Sequence, residues 1–351
     1  MSTSAYVTFD NINVNSGAGL VCYHEINALK KVTDCIGVVA RKNGDIDINV
    51  DSRYPFNPFL YDYFASKKIP FGVDLLHISC TPAMAIINSA KPKHYIAFTA
   101  AHDLNETILE HEAYLGKGNY PYFHLSNSYL FNCMHEHMAK ADIIICPSST
   151  SKKWLEDNIR NYGIEVIPHG TEIPLNPAPL PILNEFRIGY LGAFGPDKGL
   201  PYLYNAIVKL GLNQQMIWGG NCQQAVNQYF PNSKTTGWLK TVDVFYNNIS
   251  IYVQPSVTEG FGIEILEAMS YGRPVIASRG AGGADVITDG ADGFIIKPRD
   301  EIGLAEKIQF FKDNPQKIIE MGNAAREKAK QYEWSKIEKK YEDVYLKVLG
   351  I

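Results

Sequence analysis

The sequence predicts two α/β domains built on parallel sheets, and three observations carry that prediction. The chain has 351 residues, more than one core usually serves, since single cores stop growing near roughly 250–300 residues. Short β-branched runs alternate with amphipathic stretches along the whole length, the rhythm of strands joined by helical crossovers. Pro174, Pro177, Pro179 and Pro181 crowd a stretch of weak periodicity, which reads as an extended connector.

Taken in order, the first half opens with a strand at Tyr6–Phe9, then Gly17-Ala18-Gly19 and a helix over Leu20–Lys31. Strands follow at Ile36–Ala40, Tyr95–Thr99, Asp142–Cys146 and Glu165–Ile167, each a short apolar or β-branched run. Amphipathic spacing puts helices at Tyr129–Lys140 and Lys152–Tyr162. Beyond the connector, strands are expected at Arg187–Leu191, Gln215–Trp218, Ile251–Gln254, Pro274–Ser278 and Gly293–Ile296. Helices are expected at Tyr202–Leu210, from about Gly262 to Tyr271, and at Ile302–Lys312. The domains are thus 1–173 and 185–333, with a connector at 174–184 and a C-terminal helix at 334–351. Parallel sheets of this Rossmann-like kind bind ligands at the carboxyl ends of their strands. Two of them facing each other would form a cleft.

Composition narrows the function. With 46% hydrophobic residues the chain fills ordinary interiors and is not disordered. Lys and Arg total 33 against 37 Asp and Glu, a formal charge of −4. That balance lacks the basic footprint of a nucleic-acid binder. No apolar run is long enough to span a bilayer, and Met1 to Ser4 show no leader pattern. The six cysteines form no CxxC pair, so a reducing cytoplasm is expected. His135, Glu136 and His137, like Glu110, His111 and Glu112, adjoin in sequence. Side chains two apart on a helix diverge, so no metal site is expected there.

The chemistry concentrates between Val253 and Ser278. A strand ends at Pro255, a turn holds Glu259, Gly260, Phe261 and Gly262, and a helix follows from about Gly262 to Tyr271. Glycines ahead of a helix let a ligand approach free backbone N–H groups, and the helix dipole favours an anion, such as a diphosphate. The helix is apolar except for Glu264 and Glu267. A carboxylate in such surroundings needs hydroxyls or cations, and a ribose offers two adjacent hydroxyl donors. Lys198 stands before Gly199 at another helix start, where the dipole disfavours a cation unless an anion joins it.

This stretch resembles the signature of retaining GT-B glycosyltransferases of family four, the glycosyl transferases group 1. Its hallmarks are Glu259 and Glu267 around Gly260-Phe261-Gly262, followed by Glu267-Ala268-Met269, Gly272 and Pro274. Leu191 to Gly199 resembles the family loop that brings an Arg and a Lys to the donor diphosphate. Lys198 matches the lysine, but Ala193 stands where arginine is expected; Arg187, Arg273 and Arg279 are the candidates to replace it. Trp218-Gly219-Gly220 resembles the family's glycine turn, and Gly237-Trp238-Leu239 its base-contacting loop. Gly17 and Gly19 resemble the glycine loop under the donor. Ala101-His102-Asp103 resembles the segment whose histidine touches sugar and acceptor, although Asp103 with Glu106 also makes a helix capping box.

The resemblance implies a GT-B fold and transfer of a hexosyl unit from a UDP- or GDP-linked sugar, with no cofactor and no metal. Lys198 and the Phe261–Ile263 amides would stabilise the leaving diphosphate, Glu267 would hold the ribose and Glu259 the sugar. His102 would meet the sugar and the acceptor hydroxyl, and Trp238 would lie near the base. The acceptor, a glycan, lipid or small molecule, stays open, as does peripheral membrane contact. A non-catalytic nucleotide-sugar binder and other GT-B reactions, phosphorolysis or epimerisation, are the alternatives.

Overall fold

The computed structural model describes residues 2–8, 12, 17–40, 46–47, 58–79, 83–100, 107, 109–110, 113, 135–160, 163–179, 185–220, 226, 234–237, 239 and 241–351. Runs of Ile, Val, Leu and Ala form its central strands, which are buried on both faces, as parallel sheets require. The chain divides into two units. One holds 1–101, 121–169 and 334–351; the other holds 170–333 together with the described residues of 102–120.

The first unit contains β1 (Thr3–Thr8), α1 (Gly17–Val32), β2 (Asp34–Ala40), β3 (Ile46–Asp47), α2 (Pro58–Ser66), β4 (Leu75–Ser79) and α3 (Met84–Ala90). It continues through β5 (His94–Phe98), β6 (Ile143–Cys146), α4 (Ser149–Asn158) and β7 (Ile164–Val166). The sheet order is β3-β2-β1-β4-β5-β6-β7, with every described pairing parallel. The sequence reading has no strand at β4, because His77 interrupts a short apolar run. In the fold His77 is fully buried, its ring edge-on to Tyr6 and its Nδ1 2.8 Å from Tyr345 Oη.

The second unit contains β8 (Ile188–Leu191), α5 (Leu200–Lys209), β9 (Met216–Gly219), β10 (Lys234–Gly237), α6 (Asp243–Tyr246) and β11 (Ile251–Gln254). Then come α7 (Ile263–Ser270), β12 (Val275–Ser278), β13 (Gly293–Ile296), α8 (Glu301–Asp313) and α9 (Pro315–Ala329). The order is β10-β9-β8-β11-β12-β13, again parallel. Alternation along the strands splits the core between the two faces. Ile251, Val253 and Ile276 join Trp218, Leu203 and Phe311 on one side. Tyr252, Val275 and Ala277 join Leu266, Met269 and Phe245 on the other.

The last helix, α10 (Trp334–Leu349), belongs to the first unit and packs on α1. The His24 ring stacks on Trp334 at 4.0 Å between centroids, and its Nδ1 lies 2.6 Å from Glu338 Oε1. Lys31 Nζ sits 2.6 Å from Glu338 Oε2, and Tyr341 and Tyr345 bury completely beneath the helix. Among the described residues, no helix is long and apolar enough to cross a membrane.

Candidate active site

In the second unit, β8 pairs with β9 on one side and β11 on the other, so the connections leave in opposite directions between β8 and β11. Such a switch point opens a crevice at the carboxyl ends of the two strands. The segment after β8 carries Lys198, and the segment after β11 carries Glu259.

The two segments are stitched together through the backbone. Asp197 O accepts from Val257 N–H at 2.7 Å, and Gly199 has φ +71°. A Cβ at Gly199 would stand 2.0 Å from Pro255 O, so only glycine lets the Lys198 turn lie this close to β11. The result is an ion pair, Lys198 Nζ to Glu259 Oε2 at 2.6 Å, with Asp197 Oδ2 at 3.7 Å. The Lys198 and Glu259 side chains remain 23% and 22% exposed, so an incoming ligand can reach both. Burial works against the ammonium charge, but the carboxylates of Glu259 and Asp197 outweigh it and raise the Lys198 pKa.

A second cradle shapes the turn before α7. Glu259 N–H donates to Gly280 O at 2.8 Å, Gly282 N–H to Glu259 O at 3.0 Å, and Gly283 N–H to Phe261 O at 2.6 Å. A Cβ on Gly280 would lie 2.1 Å from Val257 O. The strip from Gly280 to Gly283 therefore fits against Glu259, Gly260, Phe261 and Gly262 because Gly280 and Gly283 lack side chains. Gly262 takes φ +84° and hands the chain to α7. Ile265 N–H makes the first bond of that helix, to Gly262 O at 3.1 Å, and Ile263 sits in the open first turn.

Helix α7 buries Ile263, Ile265, Leu266, Ala268 and Met269, which leaves Glu264 and Glu267 on the opposite face. Glu267 Oε2 accepts from Tyr246 Oη at 2.8 Å. Burial raises the Glu267 pKa, and the Tyr246 bond partly offsets that rise. Glu264 is pushed up to about 8, first by burial and then by the charges of Glu267 and Glu259. It therefore holds a proton at neutral pH, which reduces the repulsion an anionic ligand would meet. Tyr246, Glu264 and Asp197 were not foreseen as site residues. Tyr246 lies far from α7 in sequence, and no spacing rule joins the two.

Gly219 ends β9 beside this crevice, where its carbonyl accepts from Gly192 N–H at 3.2 Å. Gly17 and Gly19 open α1 in the first unit. His102 and Trp238 lie outside the described residues. Among the arginines considered as replacements, Arg187 precedes β8, pairs with Glu185 and is excluded by its place at the amino ends of the strands. Arg273 is fully buried, donating to Tyr246 O at 2.6 Å and Ala178 O at 3.1 Å, and is excluded too. Arg279 follows β12 at the carboxyl ends and is exposed. Ala193 itself is exposed, and its carbonyl accepts from Tyr190 Oη at 2.8 Å.

Residues 185–314, the span that builds this crevice, match the family model described as glycosyl transferases group 1. The chain carries a group 1 glycosyltransferase domain. It is 29% identical over 218 residues to an uncharacterized glycosyltransferase of Methanocaldococcus jannaschii, covering 58% of this chain and 60% of the relative. It is 28% identical to the capsular polysaccharide biosynthesis glycosyltransferase CapM of Staphylococcus aureus, over 46% of this chain and 47% of CapM. The matched parts thus span about half to three fifths of these relatives. Sucrose-phosphate synthase from Thermosynechococcus elongatus superposes over 100% of both chains, with a TM-score of 0.78 at 17% identity. Anabaena HepE, in complex with UDP-glucose, superposes over 98% of this chain and 99% of its own, with a TM-score of 0.70 at 17% identity. The fold of the chain is accordingly GT-B.

Proposed function

We propose that this protein transfers a hexosyl unit from a nucleotide-diphosphate sugar to an acceptor hydroxyl with retention of anomeric configuration. The observation that carries the reading is Lys198 paired with Glu259 at the switch point, beside the open first turn of α7 and with Glu267 on the same helix. A departing diphosphate gathers negative charge as the bond to the sugar lengthens. Lys198 and the α7 amides meet that charge, and this is transition-state stabilisation by groups already in place. Their positive potential supports a metal-independent reaction.

Glu259 then exchanges its lysine for the sugar hydroxyls, and Glu267 takes the ribose. A double displacement needs a carboxylate about 5 Å from its acid partner and beneath the anomeric carbon. Glu267 is tied back to Tyr246 instead, which favours front-side attack with the leaving phosphate accepting the acceptor's proton. HepE is captured with UDP-glucose, which supports a uridine diphosphate sugar as the first donor to try.

Thermal shifts with UDP-, GDP- and ADP-sugars test the donor, because a bound donor raises the melting point. One donor class should stabilise the protein and release free nucleotide faster when an acceptor is added, with EDTA making no difference. Stabilisation without any nucleotide release would instead mark a non-catalytic nucleotide-sugar binder. No stabilisation by any donor would sink both readings.

A further inference from the structure

Glu267 carries two oxygens, and the structure treats them differently. Oε2 takes the Tyr246 hydroxyl at 2.8 Å, while among the described residues no group donates to Oε1. The Tyr246 proton has a second acceptor, Glu264 O, at 3.3 Å, but the shorter contact to a carboxylate is the stronger one. Burial keeps the phenol protonated, so it acts as a donor.

Tyr246 is itself held from several sides. Its ring is fully buried and stacks on Tyr271 at 5.1 Å between centroids, and the Tyr271 hydroxyl donates to Asp243. Its carbonyl, at the end of α6, accepts from Arg273 Nε at 2.6 Å. The second arm of that buried guanidinium reaches Ala178 O, and Ala178 N–H bonds Asn247 Oδ1 at 3.0 Å. The Tyr246 hydroxyl is thus a fixed post that pins one carboxylate oxygen and leaves the other free.

We propose that Tyr246 is a positioning residue for Glu267, presenting its free oxygen to a vicinal diol and so setting the preference for ribose over 2′-deoxyribose nucleotides. The inference rests on the reading that Glu267 binds the donor ribose. A carboxylate that swings freely loses alignment with two adjacent hydroxyls at once, whereas a pinned one accepts from both. A nucleotide lacking the 2′-hydroxyl leaves half of that acceptor capacity empty.

The experiment measures calorimetric affinities of UDP, GDP and their 2′-deoxy forms for the full chain and three variants. The wild type should favour the ribonucleotide. Glu267→Gln should bring the pair close to parity. Tyr246→Phe, which keeps the stacked ring, should narrow the preference about three- to tenfold, the weight of one hydrogen bond. Tyr271→Phe removes a hydroxyl from the same stack without touching Glu267 and should leave the preference intact.

If Tyr246→Phe keeps the full preference while Glu267→Gln loses it, the positioning role is wrong and the ribose assignment stands. Equal weakening of both sugars by Tyr246→Phe marks a merely structural tyrosine and also overturns the proposal. An unchanged preference in Glu267→Gln, or no binding of any of the four nucleotides, removes the ribose assignment and the inference with it.

Discussion

Lys198 and Glu264 bound what the site does electrically. Removing the ammonium with Lys198→Ala takes one charge-assisted bond from the leaving phosphate. That costs about 1.5–3 kcal/mol, or about ten- to a hundredfold in turnover, readable from initial rates. Glu264, with its pKa raised to about 8, sends the opposite signal. As pH rises through that value its carboxyl ionises beside the proposed diphosphate, so donor affinity should fall on the alkaline side. Glu264→Gln should flatten that limb in a profile of donor KM against pH. The same raised pKa makes Glu264 erode stability as pH climbs from the ordinary carboxylate range toward about 8, because the unfolded chain gives up its proton first. Glu259, Glu267 and Lys198 were legible in the sequence because glycines and a helix start mark their chemistry locally. Tyr246 was not, since only the approach of α6 to α7 brings its hydroxyl to Glu267.

The turns that aim these groups depend on glycine to different degrees. Gly199 combines a left-handed φ with a carbonyl 2.0 Å from where a Cβ would sit, while the nearest atom at Gly262 is 3.6 Å away. Gly262→Ala should therefore cost only the left-handed penalty, about 1–2 kcal/mol. Gly199→Ala should cost distinctly more, because Pro255 must also move. Urea midpoints of the two variants compare them directly, and equal losses would contradict the argument. Most strands of the second unit read cleanly from sequence, Ile251–Gln254 and Gly293–Ile296 being uninterrupted runs. Strand β4 did not, since a histidine sits in its middle, and edge strand β10 (Lys234–Gly237) shows only polar residues and glycine.

At the scale of the molecule, charge chemistry separates the two units. His77, His137 and His169 all lie in the first unit and are buried, and burial holds each pKa down to about 3. A base with a depressed folded pKa gives stability above its unfolded value, near 6.5, that is lost as pH falls below it. Each histidine should remove about 1.4 kcal/mol per pH unit in that window. Residues 170–333, the bulk of the second unit, contain no histidine, and its two histidines, His102 and His111, lie outside the described residues. Acid titration followed by circular dichroism and calorimetry should therefore unfold the first unit ahead of the second; a single coincident transition would count against this ordering. The seam between α1 and α10 adds a constraint of another kind. Glu25 is buried, and its carbonyl accepts from the hydroxyl of Tyr345 on α10, 320 residues further along the chain. On the ribosome, α1 must therefore wait, uncovered on this side, until Trp334–Leu349 has also been made.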